Sequence, residues 1–532
     1  MLPVGEVLRS ELRVSELDGE KAELDSPGLR FVGKPEPESS DLGGFIYFGQ
    51  AAYRVTLPGT EDGGWATSWG PLSVRDEYVP LDLYFDDDGN GGTGAYLFFR
   101  DQRLPGLYGL GAHCEGQSVT FREMNLGLEF TGEFDDDFTT LAGKATGFGG
   151  TAAVTWQRMS EERAAIPAGT PSLPPRDPAE AAFVDRAPPL TDDGWPTAKA
   201  SEAGLAIAPL RDLVASVADG DLPLAHSVLV ARSGKLVVEE YFYGFDRDVI
   251  HDMRSASKSI ASTLIGLAVS EGLLEGADTR VLDLLDYESY ANPDERKSRI
   301  SVRHLMTMSS GLDANDSDRN SAANENTYQS QTEQPDWIKL ALDVPMIAEP
   351  GQRVIYGSAN PMILAAVLES VLDSGVEWFA DEALFAPLGI DDYRIFMRPE
   401  DAGVYLGGGM YLTPRDMLKI GQLYLDDGEW QGEQLLPAAW VEESFGRYGR
   451  LEPVDRNGNQ YGYLWWHERY LSGDRTIDSV EARGNGGQYI FVVPELDAVV
   501  VITAGNFRGG LEMTRQSQRM FETYVLPALL GE

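Results

Sequence analysis

The stretch His251-Asp252-Met253-Arg254-Ser255-Ala256-Ser257-Lys258-Ser259-Ile260 opens an apolar run, ASTLIGLAVSEG, with the spacing of a helix. Ser255 and Lys258 stand three apart, so on a helix they share a face and lie within reach of each other. A serine hydroxyl is a poor nucleophile at neutral pH, and a lysine amine in a partly desolvated site can take its proton. The positive end of the helix dipole favours negative charge developing there. Taken alone, S-x-x-K also fits a capping serine beside a solvated lysine. The rest of the chain has to decide.

Outward from this stretch, the pattern is that of an α+β domain. Residues 207–220, IAPLRDLVASVADG, are amphipathic, and HSVLVARSGKLVVEEYFYG (226–244) reads as two apolar strands turning at Arg232-Ser233-Gly234-Lys235. Helices follow at RHLMTMSSG, QPDWIKLALD, NPMILAAVLESVLDSG, TPRDMLKIGQLYLDDG and PAAWVEESFG. Two more strands, YIFVVPELDAVVVITAG (489–505), turn at Pro494–Asp497 and lead to a last helix, LEMTRQSQRMFETYVLPALLG. Strands at both ends with helices between predict one antiparallel sheet carrying an inserted helical region.

The first part of the chain reads differently. From about residue 40 to 160 it is strands and turns, with LDLYF and AYLFF separated by DDDGNGGTG, the turn chemistry of a hairpin. Further short runs at similar spacing predict an all-β barrel or sandwich over 1–160. Such a barrel is either a packed accessory body or a container for a small apolar ligand. Asp86-Asp87-Asp88-Gly89-Asn90 fails the calcium-loop register because position 84 is Tyr, and reads as an acidic turn. Residues 161–196 are proline-rich, the composition of an extended linker lying along the domains, and 197–532 form the second domain.

Composition excludes several classes. The net charge of -42 over 532 residues argues against nucleic acid and anionic membranes as partners, and fits either a salt-adapted source or simply an acidic, soluble surface. No apolar run reaches the roughly 18 residues of a membrane span, and no signal peptide opens the chain, which predicts a cytoplasmic protein unless a signal has been trimmed. The single cysteine, Cys114, precludes an intrachain disulfide and is expected to be a small buried side chain. The histidines at 113, 226, 251, 304 and 467 lack ligand spacing, so no metal and no other cofactor is expected. No G-x-S-x-G elbow is present. His251, the histidine nearest Ser255 in sequence, is read as structural.

With these blocks in view, the chain from about 200 to 532 resembles the class C β-lactamases and their relatives, the DD-peptidases, family VIII carboxylesterases and 6-aminohexanoate-dimer hydrolases. The resemblance is carried by Ser255-Ala256-Ser257-Lys258, by the tyrosine in PGQRVIYGSANPMILAAVLE, and by ARGNGGQYIFVVPELDAVVV before the last helix. ISVRHLMTMSSGLD, GGGMYLTPRDMLKIGQLYLDDGEW and YGYLWW support it in the same order.

The resemblance implies roles. Ser255 would be the acyl-accepting nucleophile, Lys258 its activating neighbour and Tyr356 the proton shuttle, with nearby ammonium lowering the phenol pKa. The backbone N–H groups of Ser255 and Gln488 would form an oxyanion hole. Asn485, Gly486, Gly487 and Ser358 would bind substrate. From the residues alone, Trp465, with Trp466 and Tyr463, either offers apolar walls to an acyl or ring group or belongs to the core. Two departures matter: the Y-x-N asparagine is Ser358, and the K-T-G lysine is Asn485. Both count against efficient β-lactam hydrolysis and favour the branch that cleaves small carboxylic esters or linear amides. A D-stereospecific peptidase or weak β-lactamase is the alternative. Apolar-ligand binding by the β-domain on a hydrolase scaffold is the alternative of another class. Self-association is left open, as is the role of the polar loop from Asp313 to Gln331, which borders the pocket or is simply solvated.

Overall fold

The computed structural model describes the chain apart from residues 1, 4–9, 15–21, 27–28, 38, 62, 70–77, 80, 88–91, 100–106, 124–127, 148–149, 166–174, 177–181, 288, 331–334, 400–401, 453–459 and 508–514. The chain forms two bodies: Met1–Ser172 with Gln329–Gln331 and Asp391–Asp401, and the remainder from Leu173 to Glu532.

The first body is all-β. Strands β1 (Ala22–Ser26), β2 (Leu29–Pro35), β3 (Leu42–Phe48) and β4 (Ala51–Leu57) run as an antiparallel meander. A strand from far along the chain, Arg394–Phe396, pairs antiparallel with β4, with Ile395 opposite Ala52. The second meander is β5 (Leu81–Asp87), β6 (Thr93–Phe99), β7 (Leu107–Glu115), β8 (Ser118–Glu123), β9 (Leu128–Phe134), β10 (Thr140–Gly147) and β11 (Gly150–Gln157). The hairpin expected at LDLYF and AYLFF forms, with Leu83 opposite Leu97; part of its acidic turn, 88–91, lies outside the described residues. Alternating side chains on one face, among them Leu97, Val119, Phe121, Phe130, Leu141 and Val154, make its core. Gly132 and Gly143 face each other across β9 and β10, and the Phe130 ring lies where their Cβ atoms would be. Cys114 corrects an expectation: it is exposed, near the end of β7 beside the turn at Gly116, where the strand has left the core. A short helix, α1 (Glu161–Ala164), follows β11.

The second body is α+β. Helix α2 (Ile207–Ala218) precedes β12 (Ala225–Arg232) and β13 (Lys235–Tyr241); later come β14 (Trp466–Ser472), β15 (Arg475–Gly484), β16 (Gln488–Val493) and β17 (Ala498–Ala504). They join in the order β13-β12-β17-β16-β15-β14, antiparallel throughout, so the two ends of the domain meet at β12 and β17. Val228, Val230, Val500 and Ile502 face α2 and the C-terminal helical segments. On the other face Val499 and Ile490 meet the helix Pro414–Leu425 at Gly421, whose Cβ would fall within 2.4 Å of Val499. Both faces are covered, which is why these strands read as unbroken apolar runs rather than alternating ones. Among the described residues, no helix is long and apolar enough to cross a membrane.

Extended chain around 189–196 lies along this sheet: Leu236 N–H donates to Pro196 O, and Ala198 N–H to Leu236 O. His226 and His251 are buried with ring centroids 5.5 Å apart, and His226 stacks on Phe245 at 3.9 Å. Burial holds both below the ordinary histidine value, His251 at about 4. The unfolded chain therefore binds protons first, and stability present above pH 6.5 is lost as pH falls toward 4, at up to about 1.4 kcal/mol per unit for each ring. Neither ring nitrogen of His226 has a hydrogen-bond partner. His226→Phe is thus expected to narrow the gap between melting temperatures at pH 7.5 and pH 5; an unchanged gap would rule His226 out as a contributor.

Candidate active site

The nucleophile candidate sits on a strand, turn and helix junction. His251–Asp252 is a short strand, Arg254–Ser257 a tight 3-10 turn, and α3 (Lys258–Ser270) begins at the lysine. Arg254 has φ of 51°, a left-handed conformation costly for a side chain with a Cβ, of order 1–3 kcal/mol. It is held there because its N–H donates to Asp252 Oδ1 at 2.9 Å and its guanidinium pairs with Oδ2 at 2.7 Å. Residues 258–268 of α3 are all buried, so the helix is a central post and its first residue is dry.

Lys258 Nζ donates to Ser255 Oγ at 2.8 Å and to the carbonyl of Gly407. At 1 % exposure its charged form is poorly solvated, which lowers its pKa from the ordinary lysine value, while Glu325 and Asp316 act in the opposite direction. Tyr356 lies beside this pair, and the Ser255 side chain acts on its phenol to lower its pKa, against the larger effect of burial. The ammonium lies over the Tyr356 ring, 5.1 Å from its centroid. This overturns the expectation of a lowered tyrosine pKa. Burial raises it, and Asp316 and Glu325 raise it further, which favours the protonated phenol over the phenolate.

The glycine loop after β15 lies close to the nucleophile turn. A Cβ on Gly484 would fall 2.1 Å from the Met253 carbonyl oxygen, a contact that only glycine permits. Gly486 and Gly487 have φ of 84° and 95°. Asn485 is exposed, and its Oδ1 accepts from the Gly486 N–H at 2.8 Å. Gln488 opens β16 opposite Gly484; its side chain bonds the main chain of Ala504, which leaves only its backbone for an oxyanion.

Trp465 requires a correction. It is fully buried against Tyr424 and Phe445, at 4.7 and 5.6 Å between rings, and presents no face to a ligand. Leu464 at φ of 60° turns the chain, β14 starts at the next tryptophan, and neighbouring strand residues point opposite ways. It is Trp466 that packs against Tyr356, at 5.3 Å, with the Arg483 guanidinium over it at 4.8 Å. Arg483 is in turn fixed by Glu481 at 2.7 Å and Glu468 at 2.9 Å.

Asp316 went unrecognised in the sequence. Its Oδ2 accepts from both the N–H and the hydroxyl of Ser358 at 2.7 Å, its Oδ1 from the Glu325 N–H at 3.0 Å, and its own N–H donates to Tyr356 O at 3.0 Å. The Asp313–Gln331 loop is therefore bound to the tyrosine segment through this residue. Burial, with Glu325 adding to it, raises the Asp316 pKa to about 6. Ser358 is fully buried with its hydroxyl committed to Asp316. The only sequence signal was one of three aspartates, with Asp313 and Asp318, in a polar loop.

The second body has the β-lactamase/transpeptidase-like fold, an antiparallel sheet with helices. The β-lactamase family profile matches residues 210–523, and the chain belongs to that family. The 6-aminohexanoate-dimer hydrolase of Paenarthrobacter ureafaciens is 24% identical over 289 residues, covering 51% of this chain and 70% of that protein. Among solved structures, a candidate β-lactamase of Bacteroides dorei aligns at a TM-score of 0.50 and 18% identity, over 61% of this chain and 99% of that one. EstCE1, a hydrolase with promiscuous acyltransferase activity, aligns at 0.47 and 18% identity, over 60% and 99%.

Proposed function

We propose that this protein is a serine hydrolase that cleaves small carboxylic esters or linear amides through an acyl-enzyme on Ser255. The observation that carries this reading is Lys258 Nζ on Ser255 Oγ at 2.8 Å, with the same nitrogen 5.1 Å from the centre of the Tyr356 ring. A lysine whose pKa is lowered takes the hydroxyl proton as Oγ bonds to the substrate carbonyl carbon. The tetrahedral oxyanion faces the backbone N–H groups of Ser255 and Gln488. On collapse the leaving oxygen or nitrogen receives the Tyr356 proton, and Tyr356 is reprotonated from the Lys258 ammonium. Water then attacks the acyl carbon by the same steps in reverse order, releasing the carboxylic acid.

The D-peptidase and β-lactamase reading is weaker. Ser358 stands where an asparagine would hold the substrate amide, and its hydroxyl is spent on Asp316. The test is intact-mass spectrometry after mixing with a slowly turned-over activated ester. A single acyl adduct that maps to the peptide containing Ser255 supports the proposal, and an unlabelled protein that still hydrolyses the ester defeats it.

Asp316 acts as a positioning residue. Asp316→Ala is expected to lower kcat/KM about ten- to a hundredfold, chiefly in kcat, as Ser358, two residues after Tyr356, loses the acceptor of its N–H and hydroxyl. Asp316→Asn keeps an acceptor for Ser358 and should lose less; equal losses in the two would assign Asp316 a charge effect instead.

A further inference from the structure

We propose that the β-domain carries a second ligand site, a cavity that takes an unbranched aliphatic carboxylate. The cavity is about 790 Å3 and lies within the β5–β11 meander. That volume is in the range of sites for small organic ligands. The hollow is partly open to solvent and mostly apolar in its lining, which suits a ligand that enters from the surface.

The meander is curled so that its first and last strands both line the hollow, Leu83 and Phe85 from β5 and Trp156 from β11, with Phe134 and Leu141 between them. The buried ion pair of Asp82 with Arg163, at the start of β5 and in α1, fastens the two edges together. One lip is Phe138, an aromatic at φ of 53° that is 48% exposed while its ring stands 5.3 Å from Phe134. A strained, exposed aromatic at a cavity mouth is placed to close over an apolar chain.

Charge selects the head group. In a chain of net charge -42, the lining holds two cations, Arg158 and Arg163, against one anion, Asp82. Asp82 bonds one guanidinium nitrogen of Arg163, but the Arg163 Nε is buried with no hydrogen-bond partner. Arg158 is exposed at the rim. The two arginines of the lining supply positive charge for an anionic oxygen group, and a planar carboxylate is an anion that a guanidinium can bind through two N–H groups. The apolar walls take the chain behind it.

The test is isothermal titration of the full-length protein with dodecanoate below its micelle concentration, beside dodecan-1-ol and dodecyltrimethylammonium. Dodecanoate is expected to bind at one site, and the alcohol and the cation at least about tenfold more weakly. Thr155→Trp, at an exposed lining position, should remove binding without changing ester hydrolysis, and Arg158→Glu should weaken it at least about tenfold. Because Arg158 is exposed, its variant reports even where the bulky one fails to fold. No saturable binding, equal binding of the dodecyl cation, or dodecanoate binding unchanged in folded Arg158→Glu would each overturn the proposal.

Discussion

Replacing Ser255 by alanine will reduce kcat/KM for p-nitrophenyl butyrate by at least about a hundredfold, with little change in melting temperature. The Ser255 hydroxyl is the group that Lys258 Nζ touches, at 2.8 Å, so the substitution removes the atom on which the proposed base acts. Lys258→Arg should be nearly as damaging, because a guanidinium is never neutral and cannot accept the proton. In the wild type, kcat/KM should rise with pH to a plateau whose midpoint lies below the ordinary lysine value, since burial lowers the Lys258 pKa and the base acts only when unprotonated. Wild-type rates in the Ser255→Ala protein, measured at matched concentration in high salt, would end the acyl-enzyme reading.

The largest loss of stability is expected far from that serine, at Arg415→Ala. Arg415 is 4% exposed and donates to Glu239 Oε1 at 2.8 Å and Oε2 at 2.7 Å, to Asp193 Oδ2 at 2.6 Å, and to Pro189 O at 3.0 Å. It pins the proline-rich segment to β13 and to the helix Pro414–Leu425. Its removal leaves Glu239, itself 3% exposed, as an uncompensated buried charge. Breaking such a pair costs about 3–5 kcal/mol, which urea unfolding will read as a lower midpoint. A loss under about 1 kcal/mol would mean that water reaches Glu239 and solvates it.

What could be read in the sequence was what local spacing encodes. Ser255 and Lys258 lie one turn apart, and the apolar runs at 226–244 and 489–505 name a sheet buried on both faces. That strands from the two ends of the domain share one antiparallel sheet followed from their placement in the chain; that β12 lies beside β17 is seen only in the structure. What could not be read rests on contacts distant in sequence or on the hand of a single residue. Gly407, whose carbonyl holds Lys258, is 149 residues away from it. Asp316 sits in a loop whose composition is that of solvated chain, and only folding brings it under Ser358. The exchange of Trp465 for Trp466 turns on one left-handed residue, Leu464. The tyrosine pKa went the wrong way because proximity to an ammonium was counted and desolvation was not.

The strand Arg394–Phe396 has a consequence for how the molecule comes into being. During synthesis the β-domain leaves the ribosome first, yet β4 has to wait for more than half of the remaining chain before its neighbour arrives. Until then its edge is open to any passing strand, a hazard in a crowded cell. A gene truncated at the proline-rich segment would leave that edge open for good, and an insertion of the whole β-domain elsewhere would leave its last strand behind. The first body is thus closed by a strand encoded within the stretch of chain that builds the second.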